Sequence, residues 1–401
     1  MAKGEYESFA EQVLGAYRPD ERPDDALVVA DFFTEHGDLP LTASALDRAY
    51  SLNPNDESVA LRRSEVLEQL EVIEFGLRFR YIPAGSFLMG SDQGDHDEKP
   101  VHPVRLQGFW MAEIPTTWAT FSDLLDWSKP PMSQPKNQGR SRYGGMVGLD
   151  LRMMYSGVTQ NPDEAEVRRI EMEYGDLRAT VDPKLHLRRP IEFDVHPVVA
   201  VAKDDAMEMC GKISNGDTLY RLPSEAEWEK AARGGLAGKR YPWGDEPPQS
   251  GQCDFNRLGQ SSILPPKRTY QNGYGLYGMS GGVWEWTLDT YDSQAYRSQQ
   301  EQVPLHEETP GLLGRLATRV TSIFTQPDQR EHALRGGSWT DCAEAVTVSF
   351  RSSRDSVGWE SDVYQRRQHI TPTIGFRICR FGDPVQQKQS DASDERTLFD
   401  S

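Results

Sequence analysis

Glycine and tryptophan fall together in short motifs along the second half of the chain, and these motifs constrain the fold more than any other feature. In YRLPSEAEWEKAARGG, residues 220–235, Ser224 stands where a helix N-cap is expected, and Glu227 three residues on completes a capping box. Gly234 and Gly235 then provide a stop signal. The motif predicts a short helix with sharply defined ends.

Two further motifs predict strands and tight turns. In GGVWEWTLD, Trp284 and Trp286 alternate with Glu285, which predicts a strand whose rings share one face while the carboxylate points elsewhere. In RGGSW, Gly336 and Gly337 permit backbone angles and close approaches that other residues resist. With 34 glycines and 26 prolines, the chain is expected to form an irregular, loop-rich fold rather than a helical bundle.

The charge of the chain excludes some classes of function. Its formal net charge is −18, and an acidic surface repels phosphate backbones, so we expect no nucleic-acid binding and no anionic-membrane binding as the main task. No apolar run approaches the roughly 18–20 residues that a membrane span needs. Residues 1–12 lack an apolar signal-peptide core. These features predict a cytoplasmic protein, of bacterial origin.

Residues 1–75 differ from the rest because they show helical periodicity. Apolar residues at three- and four-residue steps predict one helix ending at Asn53 and a second over 59–70. The stretch ALDRAYSLNPND resembles the second helix and exit turn of a tetratricopeptide repeat. A lone helical pair cannot bury its apolar face by itself. It therefore either packs on the next domain or binds a partner, and both interpretations are kept.

Six segments follow one another over about 300 residues of the chain. They are IPAGSFLMGSDQGDHDEKPVHPVRLQGF (82–109), HPVVAVAKDDAMEMC (196–210), YRLPSEAEWEKAARGG with YPWGDEPP (220–248), NGYGLYGMSGGVWEW (272–286), LRGGSW (334–339) and IGFRICR (374–380). In this order they resemble the formylglycine-generating-enzyme, or sulfatase-modifying factor, family. The resemblance implies an α+β, C-type-lectin-like fold with little regular secondary structure.

The resemblance also suggests a domain organisation. A helical N-terminal extension, tetratricopeptide-like, covers 1–75, and the family domain covers 76–381. Polar stretches at 128–190 and 291–333 are interpreted as insertions into that domain. The polar segment 382–401 is predicted to be disordered.

The family's oxidase binds one copper ion through two cysteines, and paired thiolates suit Cu(I). By resemblance, the first thiolate lies three residues after the serine of the RGGS motif, Ser338, and the second five residues later. Here the first position is Asp341, and Cys342 comes one residue late. No cysteine occurs between 343 and 378. We therefore expect no formylglycine formation, with Cys342 and Ser338 kept as weak catalytic candidates and an unrecognised metal site as the alternative.

The other three cysteines are not paired in the sequence. Cys210 and Cys379 are expected to be buried, and Cys253 to be more exposed. A second branch of the family resembles iron-dependent oxygenases that use three histidines, two of them closely spaced. This chain shows no such histidine pattern.

The family also carries structural calcium, and the segment YGMSGGVWEW matches part of one site. By resemblance, Gly281, Val283 and Glu285 stand at ligand positions, but Gly278 replaces a side-chain ligand. Another site would start at Asn256. Ca²⁺ takes six to eight oxygens, so the loss of a ligand weakens such a site. The alternative is that Glu285 hydrogen-bonds backbone amides in a tight turn, and no other cofactor is indicated.

The segment 350–369 suggests a binding surface. It combines arginines with aromatic residues, which are the types enriched at binding hot spots. An arginine cluster in an acidic protein can hold a carboxylate-rich partner. The candidate binding residues are Trp339, Asp341, Arg351, Arg354, Trp359, Tyr364 and Arg366. The alternative is that these arginines pair with the chain's own acids and the rings fill the core.

The sequence thus predicts a non-catalytic accessory protein that binds another protein or peptide. Relatives of this kind resemble accessory subunits of bacterial multi-protein signalling or defence modules. The competing hypothesis is a metal-dependent oxidase or oxygenase.

Overall fold

The structure is a computed structural model of the full chain. It describes residues 3–15, 17–124, 172, 195–199, 201, 203–257, 263–301, 331–355 and 373–382. Within these residues, no helix is both long and apolar enough to traverse a bilayer.

Four helices open the chain, and each of the last two begins at an aspartate. Asp38 accepts a hydrogen bond from the Leu41 amide, and Asp56 accepts from the Ser58 and Val59 amides, which satisfies amides that the first turn leaves free. The two helices predicted from periodicity are therefore present. The helices are α1 (Lys3–Leu14), α2 (Pro23–Glu35), α3 (Leu39–Leu52) and α4 (Glu57–Glu68).

The N-terminal helices pack on the rest of the chain. Arg63 of α4 donates to the carbonyls of Gly234 and Gly273, at 3.0 and 2.8 Å. Asp47 of α3 pairs with Arg63 and accepts a hydrogen bond from the Tyr274 hydroxyl at 2.8 Å. The helices thus occupy the docked arrangement, one of the two interpretations of the sequence. The likeness to a tetratricopeptide repeat stays a prediction.

Beyond the N-terminal helices, the part of the chain that the structure describes contains three small sheets. A five-stranded sheet has the order β1-β2-β5-β11-β6, a four-stranded sheet the order β10-β7-β8-β9, and β3 pairs with β4. The pairs are antiparallel except β10 with β7. The strands are β1 (Val72–Glu74), β2 (Leu77–Ile82), β3 (Gly85–Met89), β4 (His102–Leu106), β5 (Phe109–Ala112), β6 (Leu219–Arg221), β7 (Trp284–Thr290), β8 (Glu331–Arg335), β9 (Arg351–Asp355), β10 (Ile374–Gly375) and β11 (Cys379–Phe381).

In the described residues, four further helices pack among these sheets: α5 (Trp118–Leu124), α6 (Lys203–Ile213), α7 (Glu225–Arg233) and α8 (Ala295–Glu301). Helix α7 has the predicted ends. The Ser224 hydroxyl accepts from the Glu227 amide, Glu227 accepts from the Ser224 amide, and Gly234 closes the helix in a left-handed conformation with φ 60°. A Cβ at Gly336 would lie only 3.0 Å from the Trp228 ring, so this glycine allows β8 to approach α7.

Buried ion pairs connect α7 to the four-stranded sheet. Arg335 of β8 pairs with Glu229, and Arg351 of β9 pairs with Glu225 through Nε at 2.7 Å. All four side chains are buried. Since an ion removed from water without a partner is strongly destabilising, these pairs fix the position of α7 against the sheet.

The predicted domain boundaries differ from the structure at two places. Strand β1 already belongs to the five-stranded sheet, so the helical part ends before residue 72 rather than at 75. The proposed insertion 291–333 includes Tyr296, which is 1% exposed and packs on the Arg351 guanidinium, and it includes the first residues of β8. The insertion 128–190 and the tail beyond 382 lie outside the described residues.

Candidate functional site

The loop that follows β8 contains the serine and cysteine singled out from the sequence. The Ser338 amide donates to Asp341 Oδ2 at 2.9 Å, and the Ser338 hydroxyl donates to the same oxygen. The Asp341 amide returns a hydrogen bond to the Ser338 carbonyl at 3.1 Å. Asp341 therefore closes a tight turn with its own side chain, and this carboxylate stands where the resemblance places a thiolate.

Main-chain hydrogen bonds join this loop to two neighbouring segments. The Trp339 amide donates to the Gly282 carbonyl at 3.0 Å, and the Trp339 carbonyl accepts from the Arg257 amide at 2.8 Å. The Asn256 amide donates to the Asp341 carbonyl at 2.8 Å. Residues 338–341 are thus held by both adjoining loops, which makes the loop a rigid part of the surface.

The four cysteines are free and do not form a pair. Cys342 is exposed and begins a 3-10 turn over Ala343–Val346. Cys210, Cys253 and Cys379 are buried, so the expectation that Cys253 is exposed was wrong: it packs with Tyr241 and Val346. Burial raises the pKa of the Cys210 and Cys253 thiols to about 12. Neither thiol is a ready metal ligand or nucleophile at neutral pH.

Glu285 is a buried charge three residues after the Gly281–Gly282 turn of the segment that resembles a calcium site. Its carboxylate accepts from Arg377 Nη2 at 2.9 Å and from Trp228 Nε1 at 2.8 Å. Arg377 also donates to the carbonyls of Ala112 and Tyr277, at 3.0 and 2.7 Å. The alternative prediction, in which Glu285 binds backbone amides, is replaced by an ion pair with an arginine.

The residues that resemble calcium ligands do not form a site that fits a divalent cation. The guanidinium of Arg377 already neutralises Glu285, and a second cation there would be repelled. Gly281 donates its amide to the Gly336 carbonyl and takes φ 73°. Val283 is buried, and Asn256 takes φ 49° in the turn beside Asp341. No cluster of three metal-binding side chains occurs in the described part of the chain.

Sequence reasoning missed Asp254, which organises the neighbouring turn. It is 1% exposed and accepts from Arg257 Nη1 at 2.8 Å and from the Leu264 amide at 2.7 Å. Its carbonyl accepts from the Gly282 amide at 2.8 Å. Burial raises the pKa of Asp254, and Arg257 opposes the shift. The sequence signal for this role was the Asp254–Arg257 spacing of three residues, which alone is common.

The predicted binding residues are found in different environments. Trp339 is 7% exposed, and its indole Nε1 has no hydrogen-bond partner among the described residues. Arg351 is buried in its pair with Glu225, as the alternative interpretation expected. Arg354 lies in β9 opposite His332, and its side chain is outside the description. The remaining candidates, Trp359, Tyr364 and Arg366, lie outside the described residues.

The small curled sheets, the short capped helix and the loop closed by Asp341 together define an α+β domain of the C-type-lectin-like class. Residues 78–380 match the sulfatase-modifying factor enzyme 1-like domain. The chain belongs to this formylglycine-generating-enzyme (FGE-sulfatase) family, and the predicted family and fold class are confirmed.

Similar proteins include both an enzyme and an inactive protein. The formylglycine-generating enzyme of Streptomyces coelicolor is 33% identical over 328 residues, 75% of this chain and 88% of that protein. The inactive C-alpha-formylglycine-generating enzyme 2 of Bos taurus is 28% identical over 298 residues, 69% and 83% of the two chains. The solved structure of PvdO from Pseudomonas aeruginosa covers 76% of this chain and 94% of its own, with 20% identity and a TM-score of 0.46.

Proposed function

We propose that this chain is a non-catalytic accessory protein that binds another protein or peptide through its formylglycine-generating-enzyme-like domain. The observation that carries the proposal is the turn at Ser338. There a carboxylate, Asp341, is tied inward by hydrogen bonds to Ser338 at the position where the family's oxidase has its first thiolate. A carboxylate is a hard ligand and a poor match for Cu(I).

The distribution of thiols supports the same proposal. Cys342 is exposed, with the Glu344 carboxylate as a hydrogen-bond partner, whereas the other three thiols are buried. A lone exposed thiol is a poor Cu(I) site, because paired soft ligands are what suit Cu(I). The inactive relative in Bos taurus supports the idea that the fold is used without the chemistry.

The binding surface in this proposal is the rigid loop 338–342. Its backbone is held from both sides, so little ordering entropy is lost when a partner binds. Thr340 and Asp341 of this loop are half-buried and Cys342 is exposed, so these residues face a partner. In the sequence, strand β9 is followed by the arginine- and aromatic-rich segment 356–369. The net charge of −18 favours a protein partner over nucleic acid or an anionic membrane, in a bacterial cytoplasmic assembly.

Affinity capture with the full chain tests this proposal. Wild-type protein and the variants Trp339→Phe, Arg354→Ala and Trp359→Ala are used as baits in lysate of the source cell, and captured proteins are identified by mass spectrometry. Trp339→Phe keeps an aromatic side chain at this 7% exposed position and changes the edge that reaches the surface. Arg62→Ala, on exposed α4, is the matched control. A partner retained by the control and weakened by the three variants supports the proposal, while a partner insensitive to all three contradicts the assigned surface.

A metal-dependent oxidase is the second candidate, and one observation favours it. Tyr241 lies beside both thiols, because it packs with Cys253 and its hydroxyl donates to the carbonyl of Ala343, the residue after Cys342, at 3.2 Å. A rearrangement around Tyr241 would be needed to expose Cys253. Titration of the wild-type protein and of Cys253→Ser with Cu(I) distinguishes the two hypotheses. Stoichiometric Cu(I) binding that is lost in the variant supports the oxidase, and the absence of stoichiometric binding in the wild type contradicts it.

A further inference from the structure

A cavity lies between the N-terminal helices and the family domain, and its lining includes no residue of the loop 338–342. Its volume is ≈ 100 Å³. Helix α3 forms one wall, strand β3 a second, and the end of α7 with residues 235–237 a third. Ala237 at its rim is exposed, so the space communicates with solvent. We refer to it as the junction cavity.

Lys230 of α7 lines the junction cavity and is 4% exposed. Its ammonium donates to the carbonyls of Pro83 and Gly85, at 2.5 and 3.1 Å. An ammonium group has three N–H donors, so these two contacts leave one N–H of Lys230 available. In the described part of the chain, no carboxylate lies within ion-pair distance of Lys230 Nζ. A buried cation in this state is costly, and burial lowers the pKa of Lys230 to about 8.

The other charges around the cavity are already compensated. Arg48 Nε pairs with Glu21 at 2.8 Å, and Arg233 Nη2 pairs with Glu229 at 2.6 Å. Asp47 pairs with Arg63 at 2.8 Å and accepts from the Tyr274 hydroxyl. Lys230 therefore supplies the uncompensated charge of the junction cavity, and that charge is positive.

The volume of the cavity and its electrostatic field limit the size and the charge of a ligand that could bind there. An apolar cavity of about 150 Å³ holds benzene, so ≈ 100 Å³ holds roughly four heavy atoms, with more at the open rim. The cavity faces the C-terminal turn of α7, whose negative dipole end opposes anions in proportion to their charge and so disfavours a dianion such as phosphate more than a monoanion. Leu52, Phe87 and Leu236 add apolar wall. These properties suit a monoanion with a short apolar part.

We propose that the junction cavity binds a small monocarboxylate whose carboxylate pairs with Lys230 Nζ. The short aliphatic part of the ligand contacts Leu52 and Leu236. Because the walls come from both the N-terminal helices and the family domain, occupancy stabilises their packing. A bound ligand would therefore hold the N-terminal helices more firmly against the family domain.

Calorimetric titration and thermal unfolding of the full chain test this proposal with propionate near neutral pH. Propionamide is the neutral control of the same shape, and sulfate at matched ionic strength reports general salt effects. We expect propionate to bind and to raise the unfolding temperature by more than sulfate, which stabilises folded proteins generally, while propionamide does not bind. Equal effects of all three would overturn the proposal. At about pH 9.5 the affinity should fall by up to roughly thirtyfold, because Lys230 is then mostly neutral.

Two variants assign the effect to the cavity. Lys230→Met removes the ammonium, and Lys239→Met removes an exposed one that pairs with Asp245. Propionate binding should be lost in the first and kept in the second. Ala237→Trp closes the rim without touching Lys230 and should weaken binding at least tenfold, which decides the matter if Lys230→Met does not fold. Unchanged propionate binding in Ala237→Trp would contradict the assignment.

Discussion

Arg377 and Glu285 form a fully buried ion pair 2.9 Å long that joins β7 to the segment preceding β11. The two residues are 92 positions apart in the chain. The same guanidinium donates to three main-chain carbonyls, those of Ala112, Glu113 and Tyr277. The pair thus connects two sheets at the centre of the domain, and its role is structural.

Replacing Arg377 by methionine should destabilise the protein by about 3–5 kcal/mol, because Glu285 would be left as a buried, unpaired charge. Urea unfolding followed by tryptophan fluorescence measures the change. Lys239→Met breaks an exposed ion pair and should cost under about 1 kcal/mol. Equal losses in the two variants would show that the buried pair is not what connects the sheets.

Calcium should not stabilise the chain at Glu285, because Arg377 already occupies the charge-compensating position. Thermal unfolding in millimolar CaCl₂, compared with MgCl₂ and with chelator, measures this. The unfolding temperature should be unchanged in all three conditions. A calcium-specific increase that disappears in Glu285→Gln would contradict the assignment of Glu285 to Arg377.

Asp289 should make the protein less stable as pH rises through weakly acidic values. Burial, with the charge of Glu225, raises the pKa of Asp289 from 3.8 to about 6. Between these pH values the folded chain holds a proton that the unfolded chain has released, so stability falls as pH increases. Asp289→Asn should remove this slope and stabilise the protein above pH 6 by up to about 3 kcal/mol. Urea unfolding at several pH values would show parallel curves for both proteins if the prediction is wrong.

Arg63 should hold the N-terminal helices on the domain. Arg63→Met removes hydrogen bonds to two carbonyls and leaves Asp47 without its cation, so the loss should be about 3 kcal/mol. Arg62 is the residue before Arg63 on the same helix, and Arg62→Met breaks an exposed pair with Asp31. This change should lower the stability by less than about 1 kcal/mol. Native-state proteolysis should cut within the helices faster in Arg63→Met alone, and equal rates would argue against this role.

Local features of the fold were predictable from the sequence, whereas distant partners were not. The capping box of α7 depends on Ser224 and Glu227, three residues apart, so both its existence and its ends followed from the motif. The partner of Glu285 could not be predicted, because Arg377 reaches it only through the packing of two sheets. Cys253 was misplaced because its burial depends on Tyr241 and Val346, which come from other loops.

The candidate site was predicted in part for the same reason. The replacement of the first family thiolate by Asp341 was visible in the sequence, but its hydrogen bonds to Ser338 required the structure. Lys230 carries no sequence signal at all, because a lysine in a charged helix is normally exposed. The cavity it lines exists only where the helices meet the domain.

The measurement that tests the central claim most directly is turnover. The full chain, reconstituted with Cu(I), is incubated in air with a cysteine peptide bearing a sulfatase motif, and the peptide is analysed by mass spectrometry for conversion of cysteine to formylglycine. The Streptomyces coelicolor enzyme is the positive control. A non-catalytic binding protein predicts no conversion above the level with copper alone. Conversion that requires the protein and is lost in Cys342→Ser would contradict it and establish an oxidase.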